Sequence, residues 1–153
     1  MGHRLINSDT IDLNLSQALE LIGKPFENGG RGPNSYDCWG LCCEVYKIYG
    51  LKIPDYQVYC YDGERFDALF KNESPLWKKY DNPEDAPIPS IVAFRVSSRY
   101  INHAGIYIGN GKFLHTREKT GVVIERLDAP QWRHRLEGLY APENDKLYKF
   151  SNG

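Results

Sequence analysis

The stretch Asn28-Gly29-Gly30-Arg31-Gly32-Pro33-Asn34-Ser35-Tyr36-Asp37-Cys38-Trp39-Gly40-Leu41 decides how this chain is read. A glycine-rich loop runs into a cysteine, and the cysteine opens a helix of about residues 38–49. Leu41, Cys42, Val45, Tyr46 and Tyr49 recur at helical spacing, and Gly50 marks the stop. A thiol in the first turn of a helix sits beside backbone N–H groups and the positive end of the dipole, which both favour thiolate. Asp37 stands at the cap position and is read as the cap rather than as a reacting group. The loop is no phosphate cradle, because no Gly-Lys-Ser/Thr follows it.

Composition bounds the rest. The 153 residues suffice for one core and are too few for two ordinary domains, so 1–153 reads as one domain. With 41% hydrophobic and 25% charged residues, a soluble globular domain is expected. A net charge of −1 argues against a nucleic-acid binder. No stretch has the length of a membrane-spanning helix, and no membrane insertion is expected. Met1 to Asp12 lacks a basic region followed by an apolar run, so no secretory signal is read there. Of the four cysteines, Cys38, Cys42 and Cys43 crowd one helix and Cys60 has no recognisable partner, which suits neither a disulfide framework nor, without a C-x-x-C pair, a zinc site. Free thiols in a reducing compartment, with no metal and no cofactor, are the expectation.

Along the chain, residues 14–23 read as a short amphipathic helix with Leu15, Ala18, Leu19 and Ile22 inward and Asn14 or Ser16 as cap. Asp62 to Asn72 reads as a helix with Phe66, Leu69 and Phe70 inward, and 82–89 as a proline-rich connector. From residue 91 the texture turns to β, with strands expected over 91–96, 102–108, 112–116, 122–126 and 136–141. Helices followed by a run of antiparallel-looking strands make an α+β fold, with the cysteine helix packed on a C-terminal sheet of about five strands. Residues 143–153 are polar and read as a tail.

A cysteine nucleophile needs a base. His3 lies in the terminus and His134 in the charged Arg133-His134-Arg135, whereas His103 and His115 lie on consecutive strands joined by Gly109-Asn110-Gly111. Register decides whether they cooperate. A two-residue loop pairs positions summing to 221 and puts them on opposite faces. A three-residue loop, with Gly111 left-handed and a bulge, pairs positions summing to 220. His115 then opposes Gly105, which leaves room for the imidazole, and His103 is its diagonal neighbour about 7–8 Å away. The three-residue loop is the expectation. In that arrangement Cys38 attacks an amide or ester carbonyl, His103 is the base, and His115 fixes its tautomer. The backbone N–H of Cys38 is a candidate oxyanion donor.

These pieces resemble the NlpC family of papain-like cysteine peptidases, which cleave peptides of the bacterial cell wall. The resemblance rests on Gly23-Lys24-Pro25-Phe26, the glycine loop, Asp37-Cys38-Trp39-Gly40, Ile91-Val92-Ala93-Phe94, His103-Ala104-Gly105-Ile106-Tyr107-Ile108-Gly109 and Phe113-Leu114-His115, and spans about residues 15–142. It implies a papain-like NlpC fold with Cys38, His103 and His115 as nucleophile, base and orienting residue. Phe26 stands where the family commonly has an oxyanion-holding tyrosine, which leaves Tyr36 or backbone N–H groups for that role. Phe26, Tyr36, Asp37 and Trp39 are the candidate oxyanion and substrate contacts. Trp39 and the closing Gln131-Trp132-Arg133-His134-Arg135-Leu136-Glu137-Gly138-Leu139-Tyr140 are similar to the branch found in bacteriophage tails, the peptidase part of tail assembly protein K. The resemblance thus implies a peptidoglycan stem peptide as substrate, cut between D-glutamate and the diamino acid. It also implies phage tail-tip proteins as partners and a place at the virion tail tip, assembled in the host cytoplasm and acting at the wall. A structural tail-tip component without activity, and a thiol amidase or acyltransferase on the same fold, are the alternatives.

Overall fold

The structure, a computed structural model, describes residues 13–56, 62–73, 76–143 and 148–149; His3, Cys60 and most of the polar tail lie outside the described residues. A first helix, α1, is already running at residue 13 and ends at 19, so neither Asn14 nor Ser16 caps it. Leu15, Ala18 and Leu19 pack inward as expected. Ile22 does not: it is 41% exposed, and Leu21 packs in its place. The reason is that the helix has given way to a turn, which breaks the helical spacing before Ile22.

The glycine loop folds back on itself before the second helix. Glu27 N–H donates to the Tyr36 carbonyl at 3.3 Å, Tyr36 N–H to the Pro25 carbonyl at 3.1 Å, and Asp37 N–H to the Gly30 carbonyl at 3.1 Å. Helix α2 then spans Cys38–Ile48 and buries Leu41, Cys42, Val45 and Tyr46. Gly40 is demanded by this packing, since a Cβ there would lie 2.0 Å from the Gly30 carbonyl oxygen. After the short β1 (Leu51–Lys52) comes α3 (Gly63–Glu73), which buries Phe66 and Asp67. Asp67 accepts from Ile101 N–H at 2.9 Å and pairs with Lys71 at 2.8 Å, fastening α3 to the segment that leads into the histidine strand.

Among the described residues, six antiparallel strands form the main sheet: β2 (Trp77–Tyr80), β3 (Ser90–Phe94), β4 (His103–Gly109), β5 (Lys112–Arg117), β6 (Gly121–Arg126) and β7 (Leu136–Pro142), in the order β2-β7-β3-β4-β5-β6. A four-residue helix, α4 (Pro130–Arg133), precedes β7, and β8 (Tyr148–Lys149) pairs with β1. The sixth strand, β2, is missing from the sequence reading. It is a four-residue edge strand with two exposed lysines, and so short and charged an edge leaves almost no periodic signal. The mixed architecture, helices first and an antiparallel sheet after, is the expected α+β fold.

Both faces of the sheet are covered. Ile91, Ala93, Ala104, Ile106, Leu114 and Val122 pack with α2 on one face. Val92, Phe94, Tyr107, Phe113, Leu127, Trp132 and Leu139 form a second cluster on the other. This is why β3 and β4 read as continuous apolar runs rather than alternating ones.

The β4–β5 register has the expected consequence through a different device. Asn110 and Gly111, with φ of 57° and 74°, form a two-residue turn between the paired Gly109 and Lys112. The register then shifts between Tyr107 and Gly109, so that Tyr107 pairs with Phe113 and Ile106 with Leu114. The extra residue is therefore held in the strand, as a bulge, and not in a three-residue loop. Because the pairing beyond the bulge sums to 220, His103 and His115 share a face.

Candidate active site

Three segments lie toward the end of the sheet where β4 begins. The first is the start of α2. Asp37 is its cap, accepting from Gly40 N–H at 2.7 Å through Oδ1, while Gly29 N–H donates to Oδ2 at 3.1 Å. Arg31 pairs with the same carboxylate at 2.7 Å and also holds Asp55 at 2.9 Å. Asp37 thus ties the loop to the helix and keeps Cys38, which is 1% exposed, at a fixed place on the first turn.

The second segment is the start of β4. Helix α2 runs alongside this strand in the same direction. Cys42 Sγ donates to the Gly105 carbonyl at 3.4 Å, and a turn later Tyr46 hydroxyl donates to the Pro89 carbonyl at 3.0 Å, next to Ser90, the partner of Tyr107. One turn back from Cys42 is about 6 Å, and two residues back from Gly105 is about 7 Å. Cys38 and His103, the first residues of α2 and β4, thus belong to the same end of the fold. They come to it from different layers, for the imidazoles rise from the face that carries Phe94, Phe113 and Trp132, opposite the face on which α2 lies.

The third segment is the pair of strands beyond. His103 Nε2 meets His115 Nδ1 at 2.9 Å, and His115 Nε2 meets Glu125 Oε2 at 2.6 Å. Glu125 pairs across the ladder with Phe113, two residues before His115, which makes it His115's diagonal neighbour on that face. Its second oxygen, Oε1, accepts from Gln131 Nε2 at 3.0 Å. The Trp132 indole packs on both imidazoles, with ring centroids 5.9 Å from His103 and 4.8 Å from His115. Gly105 lacks a side chain for a different reason than room for the imidazole: a Cβ there would stand 2.8 Å from the Leu114 carbonyl oxygen and 3.1 Å from the His115 Cβ, so it is the close approach of β5 itself that demands glycine.

The electrostatics follow from this burial. His103 is held well below the usual imidazole range by desolvation, with His115 and Arg117 acting in the same direction. His115 is also lowered by desolvation, against the opposing pull of Glu125. For Glu125, desolvation is outweighed by the neighbouring Trp132, His115 and Gln131, and its carboxyl lies below the usual range. The chain is thus a carboxylate followed by two neutral imidazoles at neutral pH.

The other candidates fall outside this line. Trp39 is 3% exposed; its indole N–H donates to the Pro54 carbonyl at 2.9 Å, and its ring packs among Tyr56, Phe70 and Trp77. It is a buried packing residue that also lines a small apolar cavity with Phe66, Phe70, Trp77 and Tyr140. Tyr36 is 2% exposed and its ring lies over Gly32; desolvation first and the nearby Glu44 second push its hydroxyl up to about 12. Phe26, half-buried, bridges to Tyr36 where the loop closes. Cys43 is pushed up to about 12, chiefly by burial and then by Asp55, as suits a packing thiol. His134 is exposed, as expected. Among the described residues no group of three His, Cys, Asp or Glu side chains converges as a metal site. The sequence reading missed Glu125 and Gln131. The alternation Val123-Ile124-Glu125 placed Glu125 opposite to Ile124 in face, but nothing local said that a buried histidine waited beside it.

The sequence profile of the NlpC/P60 family matches residues 23–140. The chain belongs to this family. It is 42% identical over 130 residues to the murein DD-endopeptidase MepS/murein LD-carboxypeptidase of Escherichia coli K12, covering 84% of this chain and 61% of that protein. It is 28% identical over 124 residues to the probable endopeptidase p60 of Listeria grayi, covering 81% of this chain and 21% of that protein. The chain therefore spans about a fifth of the p60 protein's length. Among solved structures, an NLP/P60-family lipoprotein-like protein from Staphylococcus aureus superposes with a TM-score of 0.62 at 23% identity, over 88% of this chain and 41% of that one. The NlpC/p60 domain of peptidoglycan hydrolase SagA superposes with a TM-score of 0.59 at 18% identity, over 84% of this chain and 95% of that one. These two likenesses carry the fold.

Proposed function

We propose that this protein is a cysteine peptidase that hydrolyses a peptide bond of peptidoglycan. Support for the peptidase reading comes from family membership and from the names of the murein endopeptidases to which the chain is similar. The observation that carries it is the contact of His103 Nε2 with His115 Nδ1 at the end of the sheet where Cys38 opens α2. In the proposed reaction, Cys38 Sγ attacks the carbonyl carbon while His103 Nδ1, the ring nitrogen not engaged with His115, takes the thiol proton. The tetrahedral oxyanion is held by backbone N–H groups of the first turn of α2. Phe26 has no hydroxyl, and the Tyr36 ring is buried over Gly32. The imidazolium returns its proton to the leaving amine, the C–N bond breaks, and a thioester remains. Water, deprotonated by His103, then releases the acid and regenerates the thiol.

The proposed bond is the D-glutamyl–diamino acid amide of the stem peptide. The 42%-identical relative is named a murein DD-endopeptidase and LD-carboxypeptidase, which favours as a second choice a murein peptide bond between D,D- or L,D-residues. Incubating the purified protein with peptidoglycan and weighing the released fragments by mass spectrometry separates them, with Cys38→Ala as control. Wild-type fragments cut within the peptide support the reading, and their masses select the bond. A sugar–peptide cut would make the protein an amidase. Silence from both proteins, with the fold intact, would favour a structural role, for which Phe26 in place of a tyrosine speaks.

We also propose a place in a bacteriophage tail, among tail-tip proteins. It is supported by Trp39 and the closing segment 131–140. Finding the chain by mass spectrometry in purified virions tests it, and finding it only in the lysate overturns it.

A further inference from the structure

We infer that Glu125 is a positioning residue that selects which nitrogen of His103 acts as the base, through a hydrogen-bond relay Glu125–His115–His103. This rests on the peptidase reading for its consequence but not for its measurement.

The relay has one self-consistent proton arrangement. Glu125 Oε1 accepts from Gln131 Nε2 at 3.0 Å, and Oε2 lies 2.6 Å from His115 Nε2. An ionised carboxylate only accepts, so His115 carries its proton on Nε2. A neutral His115 then offers a lone pair at Nδ1. That nitrogen is 2.9 Å from His103 Nε2, which must be the donor of the pair. His103 in turn is left with a proton on Nε2 and a lone pair on Nδ1. Starting from the far end, the carboxylate thus writes the tautomer of a ring it never touches. Trp132 packs on both imidazoles, and His115 is 1% exposed, so no solvent molecule need take over the selection at that ring.

Removing the charge predicts a specific inversion. In Glu125→Gln, a single amide oxygen replaces two acceptor oxygens. If it serves Gln131, the amide NH2 faces His115 Nε2 and drives the His115 proton to Nδ1. His115 then donates to His103 Nε2, and the His103 proton moves to Nδ1, where the base should be. A structural role for Glu125 would lower stability without moving protons between ring nitrogens.

The test is 15N-edited NMR of the two imidazoles near neutral pH, in Cys38→Ala so that no turnover intervenes, with and without Glu125→Gln. The expected result is Nε2–H on both rings with Glu125 present and a large Nδ1–H population on His103 with Gln. In the Cys38-containing protein, peptidoglycan turnover then falls roughly 10- to 100-fold in kcat with KM little changed, and Glu125→Asp restores part of it. If Glu125→Gln unfolds, Gln131→Ala, which leaves the carboxylate in place, should keep the Nε2–H tautomer. An Nδ1–H tautomer of His103 with Glu125 intact would overturn the inference, as would an unchanged tautomer in both folded Glu125→Gln and folded Glu125→Lys, whose ammonium can only donate to His115. Absence of peptidase activity in every protein would sink the functional reading while leaving the NMR result to decide the relay.

Discussion

The two faces of the central sheet solve opposite problems with neighbouring residues. Leu114 points into the face under α2, with Ala104, Ile106 and Val122, and needs nothing but close packing. His115, the next residue, points the other way and is just as buried, yet each ring nitrogen has a partner. Burial costs an apolar side chain nothing, whereas a buried polar group must be hydrogen-bonded. The helix face is therefore tolerant in detail and specified by volume. The histidine face is specified by direction: strand register, a bulge and a diagonal carboxylate all have to agree for the relay to close.

Substitutions can pull this contrast apart. The largest expected loss of stability is on the helix face, where Leu114→Ala should cost about 2–5 kcal/mol in urea unfolding and leave the tautomer of His103 as it is. Next comes His115→Leu, close in volume, which strands His103 Nε2, while Glu125 keeps Gln131 and its access to solvent. About 1–3 kcal/mol is expected for the stranded nitrogen, with peptidoglycan turnover lost while circular dichroism stays native. A Leu114→Ala protein that lost the tautomer, or a His115→Leu protein that kept full turnover, would erase the distinction. Asp37→Ala removes the α2 cap and the partner of Arg31 and should cost about 0.5–2 kcal/mol. Its distinguishing sign is slower alkylation of Cys38 by iodoacetamide than in the wild type, because the first turn loses its fixed geometry.

The faces should also differ in their response to pH. Burial holds His103 and His115 below the ordinary imidazole value of 6.5, and Arg117 adds to this at both rings, against Glu125 at His115. As pH falls through 6.5 the unfolded chain binds protons that the folded chain refuses. The stability is therefore complete above that value and is lost progressively below it. Melting temperature measured from pH 8 downward should begin to drop near that value, about where unfolded histidines titrate. The slope should flatten in a His103→Asn, His115→Asn double variant and stay unchanged in Leu114→Ala. The smallest effect is expected at the β2 edge, where Lys79 reaches Glu137 at 3.1 Å across the exposed ladder. Lys79→Ala should shift stability by less than about 1 kcal/mol.

How much of this was legible depends on how far each residue's partner lies along the chain. The cap at Asp37, the start of α2 and the strands from 90 onward are set by neighbours within a few residues, and they emerge from spacing alone. Ile22 was misread because its burial depends on where α1 stops, which packing decides, and the edge strand β2 was not read at all because four residues with two exposed lysines carry almost no period. The shared face of His103 and His115 was legible only as a choice between two registers. The choice came out right although the device was a strand bulge and not a longer loop, since pairing depends on the total count of inserted residues and not on where they sit.

By itself the sequence determined that a cysteine opens a capped helix behind a glycine loop, that two histidines follow on a hairpin, and that helices precede an antiparallel sheet. Those are consequences of local hydrogen bonding and of side-chain period. Only the tertiary structure decided that Glu125 and Gln131 complete the histidine line, that Trp39 and Tyr36 are buried, and that α2 and β4 begin at the same end of the fold in different layers. Such contacts join residues tens of positions apart, and no short-range rule selects them until the strands are in register.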